Sequence, residues 1–449
     1  MRNRKKRSGY ESRITHQKGT LMGKLSAGTA RTEINPPIGA DLCGYSGRIP
    51  GNTGVHDDLH AKALVLSDGK IKAAIVSLDL IGLSGAQVAR IRHDASARTG
   101  ISGVNILIGC SHTHAGPATE PIRACGYPNR AYVEEMLAKV ADTIEAATKD
   151  MRPAKFGFGK AESDLAINRR YRTPSGEVRI GVNAGGVVDP EVGIWRFVGE
   201  DGKPIATVFN YACHAVTMGG DNREVSADWP GPAQRIIEEE TGGQAMFLQG
   251  CCGNINPGPR GGFDVVESNG RNVAQAVLST LPGISTTDDA EISIAAETVR
   301  LPLGPPMSIE EAERILSETE EKLKNKDKLQ LGDVHITQAF HDWARQIITR
   351  GGRDQVSVPF EVQRFSLDGA HIMSLPGEVF VEYALNFKKM NPNVMVAGYA
   401  NGNVGYVPTK SAFPDGGYEV DFAYKLYAEQ KLKPEVEQVI LSAAERLLK

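Results

Sequence analysis

The chain has 449 residues, 41% of them hydrophobic and 23% charged, and its 51 Lys plus Arg against 54 Asp plus Glu leave a net charge of −3. So even a balance excludes the electrostatic footprint of a nucleic-acid binder or of a protein drawn to anionic membrane, and no apolar run approaches the ~20 residues of a transmembrane helix. A chain of this length forms either two cores or one large enzyme-sized α/β domain.

The first strong bias is local: Arg2, Arg4, Lys5, Lys6 and Arg7 crowd a segment without apolar periodicity. We expect residues 1–24 to be a disordered basic arm. Gly9–Gly23 lacks the apolar stretch of about 7–15 residues that a signal peptide places after a basic start. Six scattered cysteines and the lack of any Asn-X-Ser/Thr site agree with a reducing compartment, so the expected location is cytoplasmic.

Apolar runs at 62–67, 73–79 and 104–109 read as buried strands, with helical patterns at 85–98 and 130–147. The rhythm repeats in strands at 192–198, 205–211 and 244–248 around a helix at 231–241 that follows Trp229-Pro230. Strands alternating with helices argue for an α/β fold. Residues 290–301 alternate like a half-exposed strand. Ser308-x-x-Glu311 then caps a charged helix to about 324, whose partner spans about 337–350. We expect this pair, about 306–350, to be a peripheral helical hairpin, either plain support or a cover for a pocket. Strand patterning returns at 356–366, 370–375 and 394–399, and an amphipathic helix closes the chain at 434–448. No linker separates domains.

The chemistry-bearing residues sit where these runs end. Cys-Ser-His112-Thr-His114-Ala-Gly-Pro follows the 104–109 run directly, and on an extended backbone positions i and i+2 share a face. Such a pair alone is as readily a hydrogen-bonded core pair as a metal site. His214, in Asn-Tyr-Ala-Cys-His, again ends an apolar run, and histidines gathered from strand ends are a direct way to hold zinc. A carboxylate should complete the set. Glu378, in Leu-Pro-Gly-Glu, is the leading candidate, with Asp79 and Asp228 as rivals and a helix-terminal role as its plain alternative.

In order, the motifs Ala-Arg-Thr-Glu-Ile-Asn-Pro-Pro-Ile-Gly (30–39), Gly-Val-His-Asp-Asp-Leu-His-Ala-Lys-Ala-Leu (54–64), Ser-His-Thr-His-Ala-Gly-Pro (111–117), Asn-Tyr-Ala-Cys-His (210–214), Ser-Ala-Asp-Trp-Pro-Gly (226–231), Phe-Leu-Gln-Gly-Cys-Cys-Gly-Asn-Ile-Asn-Pro (247–257), Leu-Pro-Gly-Glu (375–378) and Gly-Tyr-Ala-Asn (398–401) resemble the neutral/alkaline, non-lysosomal ceramidase family. The resemblance runs from about residue 26 to 430. It implies an α/β fold of mixed sheets flanked by helices, a single metallohydrolase domain over 25–449, and one zinc ion (Zn2+) per chain. It also implies that His112, His214, Glu378 and Tyr406 hold the metal, with Tyr418 as a second tyrosine and Arg169, in an Asn-Arg motif, as the active-site arginine. On that pattern Glu378 receives and returns a proton, while His114, Arg169 and Tyr418 stabilise the developing oxyanion.

This chain departs from the family in one functional position, for Asn256 stands where ceramidases carry a serine important for activity. An amide is no nucleophile, so a metal-activated water is the expected attacker. We also expect neither the export signal nor the further β-sandwich domain of secreted ceramidases. The expectation is therefore a zinc-dependent amidase on a smaller soluble N-acyl substrate, a small-molecule or lipid amide in broad terms. A true ceramidase releasing fatty acid and sphingosine, or a catalytically silent zinc-binding homologue, are the alternatives.

Overall fold

A computed structural model describes residues 24–351, 355–427 and 430–449; the expected basic arm, but for Lys24, lies outside the described residues. Eight strands form the main sheet, in the order Gln244–Gln249, Pro204–Tyr211, Glu191–Gly199, Arg152–Glu162, Ser26–Glu33, His60–Ser67, Lys72–Leu78 and Ile106–Cys110. Its two outer pairs are parallel and the pairs between them antiparallel. A second sheet of four strands orders Ile292–Pro302, Ser357–Leu367, Ala370–Ser374 and Val394–Ala397, the last pair parallel.

The two sheets pack face to face. Trp195, Phe156, Phe197 and Leu107 of the first meet Phe365, Ile372, Ile294 and Met395 of the second in one core. The outer face of the main sheet is covered at one end by Gly85–Thr99 and Arg130–Lys149, and at the other by Pro230–Thr241 and Phe263–Thr280. Val381–Met390 and Val436–Leu448 cover the outer face of the smaller sheet. The result is a helix, sheet, sheet, helix stack, a mixed α/β architecture as expected from the sequence.

The parallel pairs position the function. Their strands, buried on both faces, are nearly continuous apolar runs, and the loops beyond their carboxyl ends converge, the usual place for a site in an α/β sheet. His112, His214, Glu378 and Tyr399 follow Ile106–Cys110, Pro204–Tyr211, Ala370–Ser374 and Val394–Ala397, each within a few residues.

The helices at 309–350 interrupt a β-hairpin. Ile292–Pro302 and Ser357–Leu367 pair from Ile292↔Leu367 to Pro302↔Ser357, and Ile309–Lys324 and Leu331–Arg350 are inserted at the open end. The second helix begins six residues before the 337 expected from the sequence.

Candidate metal centre

His112 is not placed by strand alternation. The strand stops at Cys110, and His112 takes a left-handed backbone conformation at φ 60°. This corrects the expectation that the two histidines share a face because the chain is extended. Their rings converge through the turn instead, with the two Nε2 atoms 3.1 Å apart. The turn is held by Ser111 N–H donating to Leu78 O at 2.8 Å and His112 N–H donating to Leu80 O at 2.9 Å. Such strain is sparsely populated and clusters at functional sites.

His112 and His214 are both fully buried, and each directs Nδ1 at backbone carbonyls: His112 to Ile81 O at 2.6 Å, His214 to Cys252 O at 2.6 Å and Ile255 O at 2.9 Å. Those bonds place the ring protons on Nδ1 and leave both Nε2 lone pairs facing inward. Each Nε2 lies 3.3 Å from the same oxygen, Oε2 of Glu378, which is itself fully buried. Nitrogen lone pairs set against a carboxylate oxygen make a site that a cation would fill, and the ligand atoms of His112, His114 and His214 lie within 4.8 Å of one another. The donor set, imidazole with carboxylate, suits zinc. Zinc-binding histidines characteristically donate their second N–H to a carbonyl, as these do.

Glu378 is fixed by two phenols that the sequence did not single out. Tyr399 donates to Oε2 at 3.2 Å and Tyr427 donates to Oε1. Burial, then the charge of Arg169, pushes His214 down to about 4, keeping it neutral as a ligand must be. Burial, with His112 and His214 adding to it, likewise holds His114 well below its ordinary value. Its Nδ1 is buried without a partner, and the ring lies so close to Gly44 (φ 107°) that a Cβ there would sit 2.3 Å from Nδ1.

Tyr406 is the direct cross-strand partner of Glu378, through the parallel bridge Glu378↔Tyr406, Val379↔Val407. Its hydroxyl accepts from Arg169 at 2.9 Å, and the Tyr418 ring meets the Tyr406 ring edge-on at 5.6 Å. Burial raises the Tyr406 hydroxyl well above its usual value against the opposing pull of Arg169. Arg169 reaches this place because the pairing of Ala166–Arg172 with Val178–Asn183 is irregular between Asn168 and Arg170, and such a bulge re-aims side chains. It also contacts His214 Nε2 and donates to Asn256 Oδ1, both at 3.4 Å, and pairs with buried Glu419 at 3.0 Å. Glu419 binds Arg170 as well, at 2.7 Å, and sits in the π-helical turn Tyr418–Phe422.

The rival carboxylates lie elsewhere. Asp79 accepts from His60 N–H at 3.0 Å and from Gln234 at 3.3 Å. Asp228, at φ 54°, accepts the backbone N–H groups of Thr217, Met218 and Trp229 and so braces the loop after His214. All six cysteines are free and buried; Cys252, beside the centre, bonds the Tyr399 hydroxyl at 3.3 Å.

A cavity of about 400 Å³ opens onto the centre, lined by His114, Arg169, Asn256, Tyr406 and Tyr418 on its polar side and by Ile180, Val216, Ile336, Phe422 and Leu426 on its apolar side. Ile336 belongs to the inserted helix Leu331–Arg350, whose His335 also bonds Ser46 O at 2.6 Å. The inserted pair therefore forms part of the wall.

Fold and centre together define an α/β protein with a buried histidine and carboxylate site suited to a divalent metal. Residues 26–280 match the family model described as neutral/alkaline non-lysosomal ceramidase, N-terminal, and the chain belongs to that family. Neutral ceramidase of Oryza sativa subsp. japonica is 24% identical over 217 residues, 45% of this chain and 27% of that protein. Neutral ceramidase A of Dictyostelium discoideum is 27% identical over 262 residues, 52% of this chain and 36% of that protein. The matches thus span about a third of the length of these curated relatives. The crystal structure of neutral ceramidase from Pseudomonas aeruginosa superposes with a TM-score of 0.69 over 95% of this chain and 74% of that chain, at 18% identity, and shares the fold.

Proposed function

We propose that the chain is a zinc-dependent amidohydrolase that cleaves the linear amide bond of a small soluble N-acyl compound, with one zinc per chain held by His112, His214, Glu378 and Tyr406. The observation that carries this reading is the pair of Nε2 atoms, each 3.3 Å from one Glu378 oxygen, with both Nδ1 atoms already engaged by carbonyls. A bound zinc supplies Lewis acidity, lowering the pKa of water toward ~7 and polarising a carbonyl.

The chain's own groups do the rest. Glu378 takes the proton of the attacking water and returns it to the departing amine. Arg169, His114 and Tyr418 line the side on which the carbonyl oxygen gains charge. Asn256, its Oδ1 occupied by Arg169, keeps its Nδ2 donors for the substrate and serves in positioning. Family membership and the apolar side of the cavity favour a second reading, cleavage of ceramide itself. The free, buried cysteines support a reducing cytoplasm as the place of action.

Metal analysis of the purified protein and of His112→Ala, followed by an amidase screen from short N-acyl amino compounds to ceramide, tests this. About one zinc per chain, lost in the variant, with short N-acyl compounds preferred, is the expected result. Preference for ceramide in detergent replaces the first reading by the second. Metal bound without turnover, with activity gained in Asn256→Ser, identifies a silent homologue, and absence of metal removes the reading altogether.

A further inference from the structure

The Tyr45 wall of the cavity, 5.3 Å from the His114 ring, carries positive charge that no ion pair among the described residues neutralises. Arg260 stands exposed at the mouth. Its Nε donates to Val216 O at 2.8 Å, and one Nη donates to Met218 O at 3.3 Å and to the Tyr45 hydroxyl at 2.9 Å. The Tyr45 hydroxyl in turn donates to Met218 O at 2.6 Å. The guanidinium is thus held in place by neutral acceptors alone, and its charge is left for something else.

Behind Tyr45 stands a second such group. Arg48 lies 5.0 Å over the Tyr45 ring, is 5% exposed, and donates one Nη to Cys43 O at 2.7 Å. Its Nε and other Nη are buried without a partner. Among the described residues no ion pair includes Arg48 or Arg260, whereas Arg169, on the opposite wall, is paired with Glu419 at 3.0 Å. The nearby Asp228 spends its oxygens on three backbone N–H groups, Asp41 spends its own on Gly51 and Tyr127 N–H, and Asp221 acts on Arg48 only at a distance, without an ion pair. A buried guanidinium with unmet donors is costly, and an anion brought close relieves that cost.

We propose that the substrate is anionic: an N-acyl compound whose carboxylate docks on Arg260 against the Tyr45 wall, with Arg48 behind the ring supplying a further, unneutralised positive charge. The acyl part lies along Val216, Ile336, Phe422 and Leu426. This rests on reading the centre as an amide-hydrolysing one, and it separates the substrate from ceramide, which carries no charge.

The test is calorimetric binding of N-octanoylglycine and of its neutral isostere N-octanoylglycinamide to the metal-loaded protein, with hydrolysis followed in the same samples. The wild type should bind the acid about tenfold or more tightly at low salt. In Arg260→Gln, an exposed position where folding is not at stake, the preference should fall to near unity. In Arg48→Met it should shrink while the thermal midpoint holds or rises, since an unpaired buried charge has been removed; a purely structural Arg48 would lower the midpoint and leave the preference intact. Equal binding of the two compounds, binding of neither, or a preference that survives Arg260→Gln overturns the proposal. Selective binding without turnover keeps the anion site and removes the amidase reading, and turnover without selectivity does the reverse.

Discussion

The core between the two sheets and the loops at the carboxyl ends of their strands are made by the same strands under opposite rules. In the core, Phe156, Trp195, Phe197 and Phe365 pack ring against ring at centroid distances of 5.1–6.4 Å on regular backbone. In the loops, His112, Asp228, Tyr399 and Asn401 all hold positive φ, and Glu378, Arg169, Glu419 and Glu120 are ionisable groups buried away from water, Arg169 and Glu419 as an ion pair. Stability is concentrated in the first region. The second is tolerated because the first over-determines it, the common division between scaffold and strained site.

The sharpest test of that division is Glu378→Gln. Activity should fall by roughly 10⁴, about 5.5 kcal/mol in barrier height, while the melting temperature holds or rises. A large loss of stability would show that the carboxylate is a structural element. Next in size is Trp195→Ala, which should cost about 3–5 kcal/mol in urea unfolding and leave the activity of the folded fraction unchanged. Trp195→Phe should cost under about 1.5 kcal/mol, because the Trp195 Nε1–H has no partner to lose.

A smaller effect should come from Glu120. Burial, reinforced by the Glu378 charge and opposed by the bond from Asn403 at 2.8 Å, pushes its carboxyl up to about 7 from an ordinary 4.5. The folded state therefore holds this proton between pH 4.5 and 7 where the unfolded chain has released it. Stability from this group is present below about pH 4.5 and is lost as pH rises toward 7, an effect on the order of 3 kcal/mol. Glu120→Gln should gain stability over the wild type at pH 8 and not at pH 4, measured by urea melts; an equal difference at both pH values would mean the carboxyl titrates normally.

The same contrast explains what the sequence disclosed. The buried parallel strands read clearly because they are nearly continuous apolar runs, and the histidines and Glu378 stood out by their place after such runs. Arg152–Glu162 was missed because Pro153, Lys155 and Lys160 break its apolar pattern. Phe263–Thr280 was missed because Asn269 and Gly270 sit mid-helix, where Gly270 admits the backbone of Trp229 to close approach. Tyr399 lies in the Gly-Tyr-Ala-Asn stretch, which by itself assigns it no role, and Tyr427 and Glu419 carry no local signal at all. What makes them functional is a tertiary fact: each reaches Glu378 or Arg169 from a separate element of the chain.

The helices at 309–350 sit at the open end of a β-hairpin whose ladder is already complete from Ile292↔Leu367 to Pro302↔Ser357. Everything proposed to perform the chemistry lies outside that insert, and Ile336 within it shapes only the apolar wall. Because the two strands pair without it, the side chains of that segment can change without breaking the ladder, so the apolar wall at Ile336 can be reshaped while the histidines, the carboxylate and the phenols stay where the sheets hold them.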